Sequence, residues 1–308
     1  MSESNLNAVM YHYVRDFQNT RYPGIKGLDV KAFERQLDFI LKNFDVLSFD
    51  SLRQALFGEV NFERPSVVLT FDDGLKDHIE FVAPILMDRG VKGLFFPPSQ
   101  PILEGRLLVV QAIQFVLSEI DDARNLLPFV LEQMREHLGA DHAAVLVGEA
   151  NASRFDTQEV MIVKRLLQRD LPREQAESIA SDLFRRFVSN DERAFVEETY
   201  LSFEDVCELK LNGMHIGSHT HSHPWLSRLS REEQQHELLA SRSFLEAVGV
   251  NTLEGWSLAY PYGDFNNDTL DVAKDLGCSL AFTTKVGSIS FGSSSLKLSR
   301  WDTVDFPS

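Results

Sequence analysis

Cysteine is scarce in this chain of 308 residues: Cys207 and Cys278 are the only two, far apart and without CxxC spacing. That excludes zinc or redox chemistry built on neighbouring thiols and leaves two buried free thiols, each in a helix-like segment, as the expectation. Basic residues are outnumbered, 30 Lys and Arg against 46 Asp and Glu for a net charge of -16, and no Lys/Arg stripe offsets the balance. Nucleic acid is therefore excluded as a partner. No apolar run reaches the length of a membrane span. The opening stretch, Met1 to Asn7, lacks the basic start and apolar core of a secretory signal. No internal repeat or low-complexity tract interrupts the chain. These absences read as a cytoplasmic globular protein whose substrate is neutral, cationic or held through a metal.

What remains is ample material for a core. With 44% hydrophobic residues, the chain can fill one barrel-sized domain or two smaller ones. Short runs rich in β-branched or aromatic residues recur at Ala8 to Tyr11, Val67 to Phe71, Val91 to Phe96, His215 to Gly217, Trp256 to Tyr260, Ser279 to Thr283 and Leu296 to Trp301. They predict buried, parallel strands. Amphipathic stretches such as Val30 to Asn43 and Asp77 to Arg89 lie between them, and that alternation predicts an α/β barrel. From about 105 to 199 the rhythm changes to consecutive helical patterns, Leu107 to Ile120, Asn125 to Leu138, Gln158 to Gln168 and Arg173 to Val188, with Pro128 and Pro172 at or near helix starts. We expect a single domain over 1–308 carrying an α-helical insertion, which is also the candidate surface for a homo-oligomer. Gly287 to Ser295 reads as a surface loop.

Three segments carry chemistry. Thr70-Phe71-Asp72-Asp73-Gly74 ends an apolar strand in two carboxylates, at the strand end where barrels gather catalytic groups. Adjacent residues there point different ways, so one carboxylate can ligate a metal while the other acts as a base. An Asp-Gly turn accounts for the segment taken alone equally well. Gly217-Ser218-His219-Thr220-His221-Ser222-His223-Pro224 places three histidines within five positions. A spacing of four turns His219 and His223 to one side of a helix or tight turn, so that with a carboxylate they form an open metal site, while His221 points elsewhere. Finally, Tyr260-Pro261-Tyr262-Gly263 is a strand running into a turn whose backbone N–H at Tyr262 could face an oxyanion; a plain turn explains it as well.

Taken together, TFDDG, SHTxxH and the Pro-Tyr-Gly turn resemble the polysaccharide deacetylases of the NodB-homology group, carbohydrate esterase family 4. The resemblance covers about 5 to 100 and 200 to 305. It implies a distorted (β/α)7 barrel, TIM-like, with Asp72 as the general base toward water, and Asp73, His219 and His223 holding a divalent metal, usually zinc. It further implies that Thr220 braces the histidine loop and that the Tyr262 N–H meets the oxyanion. Two family features are missing: Ala259 stands where an arginine is common, and no Leu-x-His occurs between Leu296 and Ser308. One branch of the family carries a Met-Tyr-His strand at its N-terminus, and Met10-Tyr11-His12 resembles it. His12 is accordingly the candidate general acid, with a buried structural histidine as the alternative. Arg300 either orients Asp72 in place of the missing arginine or makes a surface ion pair.

The expected function is metal-dependent removal of an N-acetyl group from a carbohydrate. The N-terminal strand and the helical insertion resemble deacetylase-like proteins encoded with O-antigen or lipopolysaccharide loci, which points to a cytoplasmic glycan precursor. Two alternatives stand beside it: hydrolysis of a non-sugar amide or formamide at the same site, and a catalytically silent metal-binding interaction module.

Overall fold

The computed structural model describes residues 6–57, 64–120, 122–138, 156–290, 292 and 294–307. Most of the opening stretch, residues 1–5, and residues 291 and 293 of the Gly/Ser-rich segment lie outside the described residues. Two compact units result. One comprises Met1–Asp16, Gly27–Gly105 and Glu197–Ser308, the other Phe17–Lys26 and Arg106–Val196.

Among the described residues, the barrel of the first unit is built on seven parallel strands, β1 (Leu6–Tyr11), β2 (Ser66–Asp72), β3 (Leu94–Phe96), β4 (His215–Ile216), β5 (Trp256–Ala259), β6 (Cys278–Phe282) and β7 (Trp301–Asp302), while the two-residue strand Asp45–Val46 pairs beside β2 and Val14–Arg15 pairs with Leu28–Asp29. Each barrel strand matches one of the seven apolar runs. Pairing follows chain order from β1 to β4, and β7 returns to pair with β1 through Val9 and Trp301. Single bridges complete the ring where strands diverge. Ser218 N–H donates to Ser257 O at 2.8 Å between β4 and β5, and Leu298 N–H donates to Ala281 O at 2.9 Å beside β6. The outcome is a distorted (β/α)7 barrel. Every residue of β1 and β2 is buried, as expected of parallel strands covered on both faces.

The two faces of the strands divide the core. Leu6 and Ala8 of β1, Val68 of β2, Leu94 and Phe96 of β3, and Leu280 and Phe282 of β6 share one apolar cluster with Leu298. Their alternate neighbours, including Val9, Val67, Leu69 and Phe95, join the cluster that receives the helices. Among these helices, Val30–Asn43 inserts Phe33, Leu37 and Ile40, and its first turn is capped by the Asp29 side chain accepting from Lys31 N–H. Period two places Thr70 and Asp72 on the inner face with Val68.

Several local expectations need correction. Val91 to Gly93 is not strand, since β3 starts only at Leu94; Leu296 to Arg300 contributes a bridge rather than a strand. Cys278 opens β6 instead of lying in a helix, and Cys207, which is helical, is only half-buried. Ile289, within the supposed surface loop, is buried and donates its N–H to Leu6 O at 2.8 Å, because its apolar side chain finds the end of the barrel. Asp77 to Arg89 is helical in two pieces, a wide turn over His78–Val82 followed by Ala83–Asp88 with Pro84 in its first turn.

In the second unit the expected helices are Val109–Glu119, Leu126–Leu138, Gln158–Arg165 and Arg173–Phe187. Phe17–Lys26 also belongs to this unit, a stretch the sequence pattern left with the barrel. There Tyr22 packs edge-on against Phe115 at 4.9 Å between ring centroids. Among the described residues, no exposed large apolar side chain falls within 106–196.

Candidate active site

Asp73 lies just past the end of β2, and its Oδ1 is 3.3 Å from His219 Nε2 and 3.5 Å from His223 Nε2. All three side chains are buried, and their ligand atoms lie within 4.8 Å of one another. Donor atoms around a tetrahedral zinc stand roughly 3.3–3.6 Å apart, given bond lengths of about 2.0–2.2 Å. The donor set therefore fits a divalent cation: two imidazole nitrogens and one carboxylate oxygen converge, with the carboxylate oxygen at such a separation from each imidazole. His219 Nδ1 is 2.6 Å from Ala259 O, an acceptor only, so Nδ1 carries the proton and Nε2 turns its lone pair inward.

The histidine segment is not helical. His223 N–H donates to Thr220 Oγ1 at 3.1 Å, and Thr220 N–H to Ser218 Oγ at 3.0 Å, closing a tight turn that brings His219 and His223 together. Thr220 thus braces the loop. His221 faces away, 2.8 Å from Ser99 Oγ and 3.1 Å from Glu104 Oε1. Glu237, itself buried, accepts from the backbone N–H groups of His221 and Ser222 and anchors this outer half of the loop.

Backbone strain concentrates here. Among the described residues, the non-glycine residues with positive φ are Asp73 at 71°, Thr220 at 63°, His223 at 58° and Tyr262 at 58°. Each such residue costs on the order of 1–3 kcal/mol and persists only where its surroundings hold it. Two are candidate ligands, one closes the turn between the histidines and the fourth is the proposed oxyanion residue. Around Tyr262 the turn is closed by Gly263 N–H to Tyr260 O at 2.8 Å and Asp264 N–H to Pro261 O at 3.0 Å, bonds that do not use the Tyr262 N–H. Its ring lies edge-on to His223 at 4.7 Å and is stacked on Trp225, also at 4.7 Å.

Asp72 points into the barrel and meets Arg300. Nη1 donates to Oδ1 at 2.8 Å, and Nη2 makes an ion-pair contact to Oδ2 at 2.7 Å that is off hydrogen-bond alignment. Arg300 also donates through Nε to Thr283 O at 2.9 Å and through Nη1 to Thr70 Oγ1 at 3.1 Å. It is 1% exposed, so the surface ion pair is excluded. Burial pushes the Asp72 carboxyl up, but Arg300, His219 and His12 together bring it below its ordinary value. Asp73 behaves likewise and more strongly: burial raises it, and the bonds to His219 and His223 outweigh that and hold it well below the carboxylate range. Burial lowers both imidazoles; the two carboxylates reverse this at His219, which ends raised, whereas His223 stays lowered.

His12 is half-buried just after β1, within electrostatic reach of Asp72 and Asp73, both of which its positive charge would hold ionised. All six expected site residues thus belong to the first unit. Several neighbours went unforeseen: Tyr13, Arg15, Asp77, His78, Trp225 and Glu237. Asp77 and His78 could have been noticed from their place directly behind the TFDDG segment.

The family model for polysaccharide deacetylases matches residues 192–281. This stretch holds His219, His223 and the Tyr262 turn, which Asp72 and Asp73 meet in space. YxkH of Bacillus subtilis (strain 168), which carries the same family designation, is 30% identical over 91 residues, 30% of this chain and 32% of YxkH. Over this stretch the chain is similar to the polysaccharide deacetylases. The aligned part spans about a third of that curated relative. Solved structures extend the likeness in fold to nearly the whole chain. The Streptococcus pyogenes deacetylase PplD superposes with a TM-score of 0.56 at 19% identity, covering 96% of this chain and 91% of PplD. IcaB from Ammonifex degensii gives 0.59 at 16%, covering 98% and 92%. A de-N-acetylase from Aggregatibacter actinomycetemcomitans gives 0.55 at 13%, covering 96% and 94%.

Proposed function

We propose that this protein is a polysaccharide deacetylase that hydrolyses the N-acetyl group of an amino sugar, with a divalent cation held by Asp73, His219 and His223. The observation that carries the reading is the division of labour between adjacent carboxylates. Asp73 faces two imidazoles, while Asp72 is locked by Arg300 and kept ionised beside them.

When bound, the cation supplies Lewis-acid polarisation of the acetamide carbonyl and lowers the pKa of water toward neutrality. Asp72 takes a proton from the attacking water as its oxygen bonds to the acetyl carbon. The Tyr262 N–H donates to the carbonyl oxygen as negative charge gathers there. His12 gives its proton to the nitrogen as the carbon–nitrogen bond breaks, so an amine and acetic acid leave. One water is consumed, and solvent exchange resets Asp72 and His12.

For the metal we propose zinc, on the grounds of two imidazoles and one carboxylate converging in a buried site. For the substrate we propose a glycan or O-antigen precursor, an extension that rests on resemblance alone. The test is acetate release from N-acetylated nucleotide sugars, oligosaccharides and small amides or formamides, using protein whose metal content has been measured. Release from an amino sugar that Asp72→Asn abolishes is the expected result. Release confined to small amides, or unchanged in Asp72→Asn, overturns the reading.

A further inference from the structure

The residues shortly behind the TFDDG segment grip the chain at His12 and just after it. His78 is fully buried, held edge-on by Phe71 and Phe95, each 5.7 Å away between ring centroids. Its Nε2 lies 3.0 Å from the backbone carbonyl oxygen of His12. A carbonyl only accepts, so Nε2 must carry the proton and donate. Burial lowers the affinity of this imidazole for a second proton, which keeps it in the neutral form with Nδ1 bare.

Three residues beyond His12, Arg15 closes a second tie. Its Nε donates to Asp77 Oδ2 at 3.0 Å and its Nη2 to Asp77 Oδ1 at 2.9 Å, a bidentate pair in which Asp77 is 5% exposed. The Arg15 guanidinium also lies over the Tyr13 ring, 4.8 Å from its centroid. Consecutive residues Asp77 and His78 therefore hold both His12 and Arg15. The same segment, a few positions earlier, supplies Asp72 and Asp73.

We propose that Asp77 and His78 are positioning residues that set His12 relative to Asp72 and the Asp73 cluster. The inference rests on the deacetylase reading and on His12 as the proton donor. Fixing His12 through its own carbonyl and through Arg15 matters because the two proton transfers act on one bound acetamide. The donor must stand near the nitrogen while the base stands near the water. Displacement of about 1 Å in such a group can cost on the order of 100-fold in rate. The clamp makes the acid move with the base because both hang from the end of β2.

The leaving group separates positioning from general damage. An amine leaves only when protonated, whereas an aryl acetate expels a stable phenolate without an acid. Wild-type, His12→Gln, His78→Leu, His78→Gln and Asp77→Asn proteins, matched for metal content and folded by circular dichroism, are compared on an N-acetyl sugar substrate and on 4-nitrophenyl acetate.

The expected result is that His12→Gln, His78→Leu and Asp77→Asn lower kcat on the amide by about 10-fold or more. For His78→Leu and Asp77→Asn, KM and the aryl acetate rate stay near wild type. His78→Gln, whose side-chain amide can donate to the same carbonyl, recovers part of the amide rate. Parallel losses on both substrates, unchanged amide rates, or no recovery by His78→Gln overturn the proposal. Should His78→Leu fail to fold, Asp77→Asn and His78→Gln decide it by the same ratio. A wild-type protein that cleaves the aryl acetate and no N-acetyl sugar instead removes the functional reading, and the proposal with it. Retained amide activity in His12→Gln removes His12 as the donor, and the proposal likewise.

Discussion

Arg300 and Asp72, 228 positions apart in the chain, meet in the barrel interior, with Nη1 donating to Oδ1 at 2.8 Å. Period two turns Asp72 inward along with Thr70, and closure of the ring by β7 on β1 delivers Arg300 opposite them. The arginine thus holds Asp72 and Thr70 from the far end of the chain.

Arg300→Gln removes the charge that offsets burial at Asp72, so the carboxyl rises. Because the base must be ionised, the acid limb of kcat/KM against pH moves to higher pH. The same sign governs stability. A carboxyl depressed in the folded state stabilises above its unfolded pKa, and that contribution is lost as pH falls through its folded pKa. Breaking a buried pair from one side also costs about 3–5 kcal/mol. Chemical denaturation and a pH–rate profile on one preparation check both effects.

Metal retention should depend on Asp73, His219 and His223 and fall with pH. The His219 imidazole is raised by Asp73 and Asp72 against the effect of burial, so protons compete with the cation from above the ordinary imidazole range. Chelator competition followed by elemental analysis between neutral and mildly acidic pH should show weakening binding. Asp73→Asn, His219→Ala and His223→Ala should each lose the metal stoichiometrically.

Glu237→Ala tests the anchor of the histidine loop. It strips the acceptor from the His221 and Ser222 N–H groups without touching a ligand. Leaving such groups unsatisfied costs about 1–3 kcal/mol. Loosened ligands typically lose about 10- to 100-fold in metal affinity. Denaturant midpoints and competition with a fluorescent zinc chelator report the two effects separately.

Gly217→Ala probes the approach of β4 to its neighbours. A Cβ there would collide with the Phe96 ring and Ser257 Oγ, neither of which can withdraw from the barrel interior. Overpacking of this kind costs about 1–3 kcal/mol, read as a lowered Tm. Displacement of Ser218 and His219 should lower metal affinity as well.

Much of this was legible in the chain. Seven apolar runs correspond to the seven strands, since a strand buried on both faces must be continuously apolar. The boundaries slipped where local apolarity outran the pairing, as at Val91 and at Leu296. His219 and His223 were recognisable by spacing. The reason they converge, a strained turn at Thr220 rather than a helix, was not, because positive φ at a non-glycine residue has no local signature.

The sequence by itself determined which donors exist and in what order: two adjacent carboxylates at a strand end, a histidine pair, and His12 at the start. Tertiary structure alone decided their roles. Asp72, the proposed base, is held because ring closure brings Arg300 to it, and Asp73, the proposed ligand, has a left-handed backbone and faces the imidazoles. Both outcomes depend on contacts between residues distant in sequence, which no local pattern encodes.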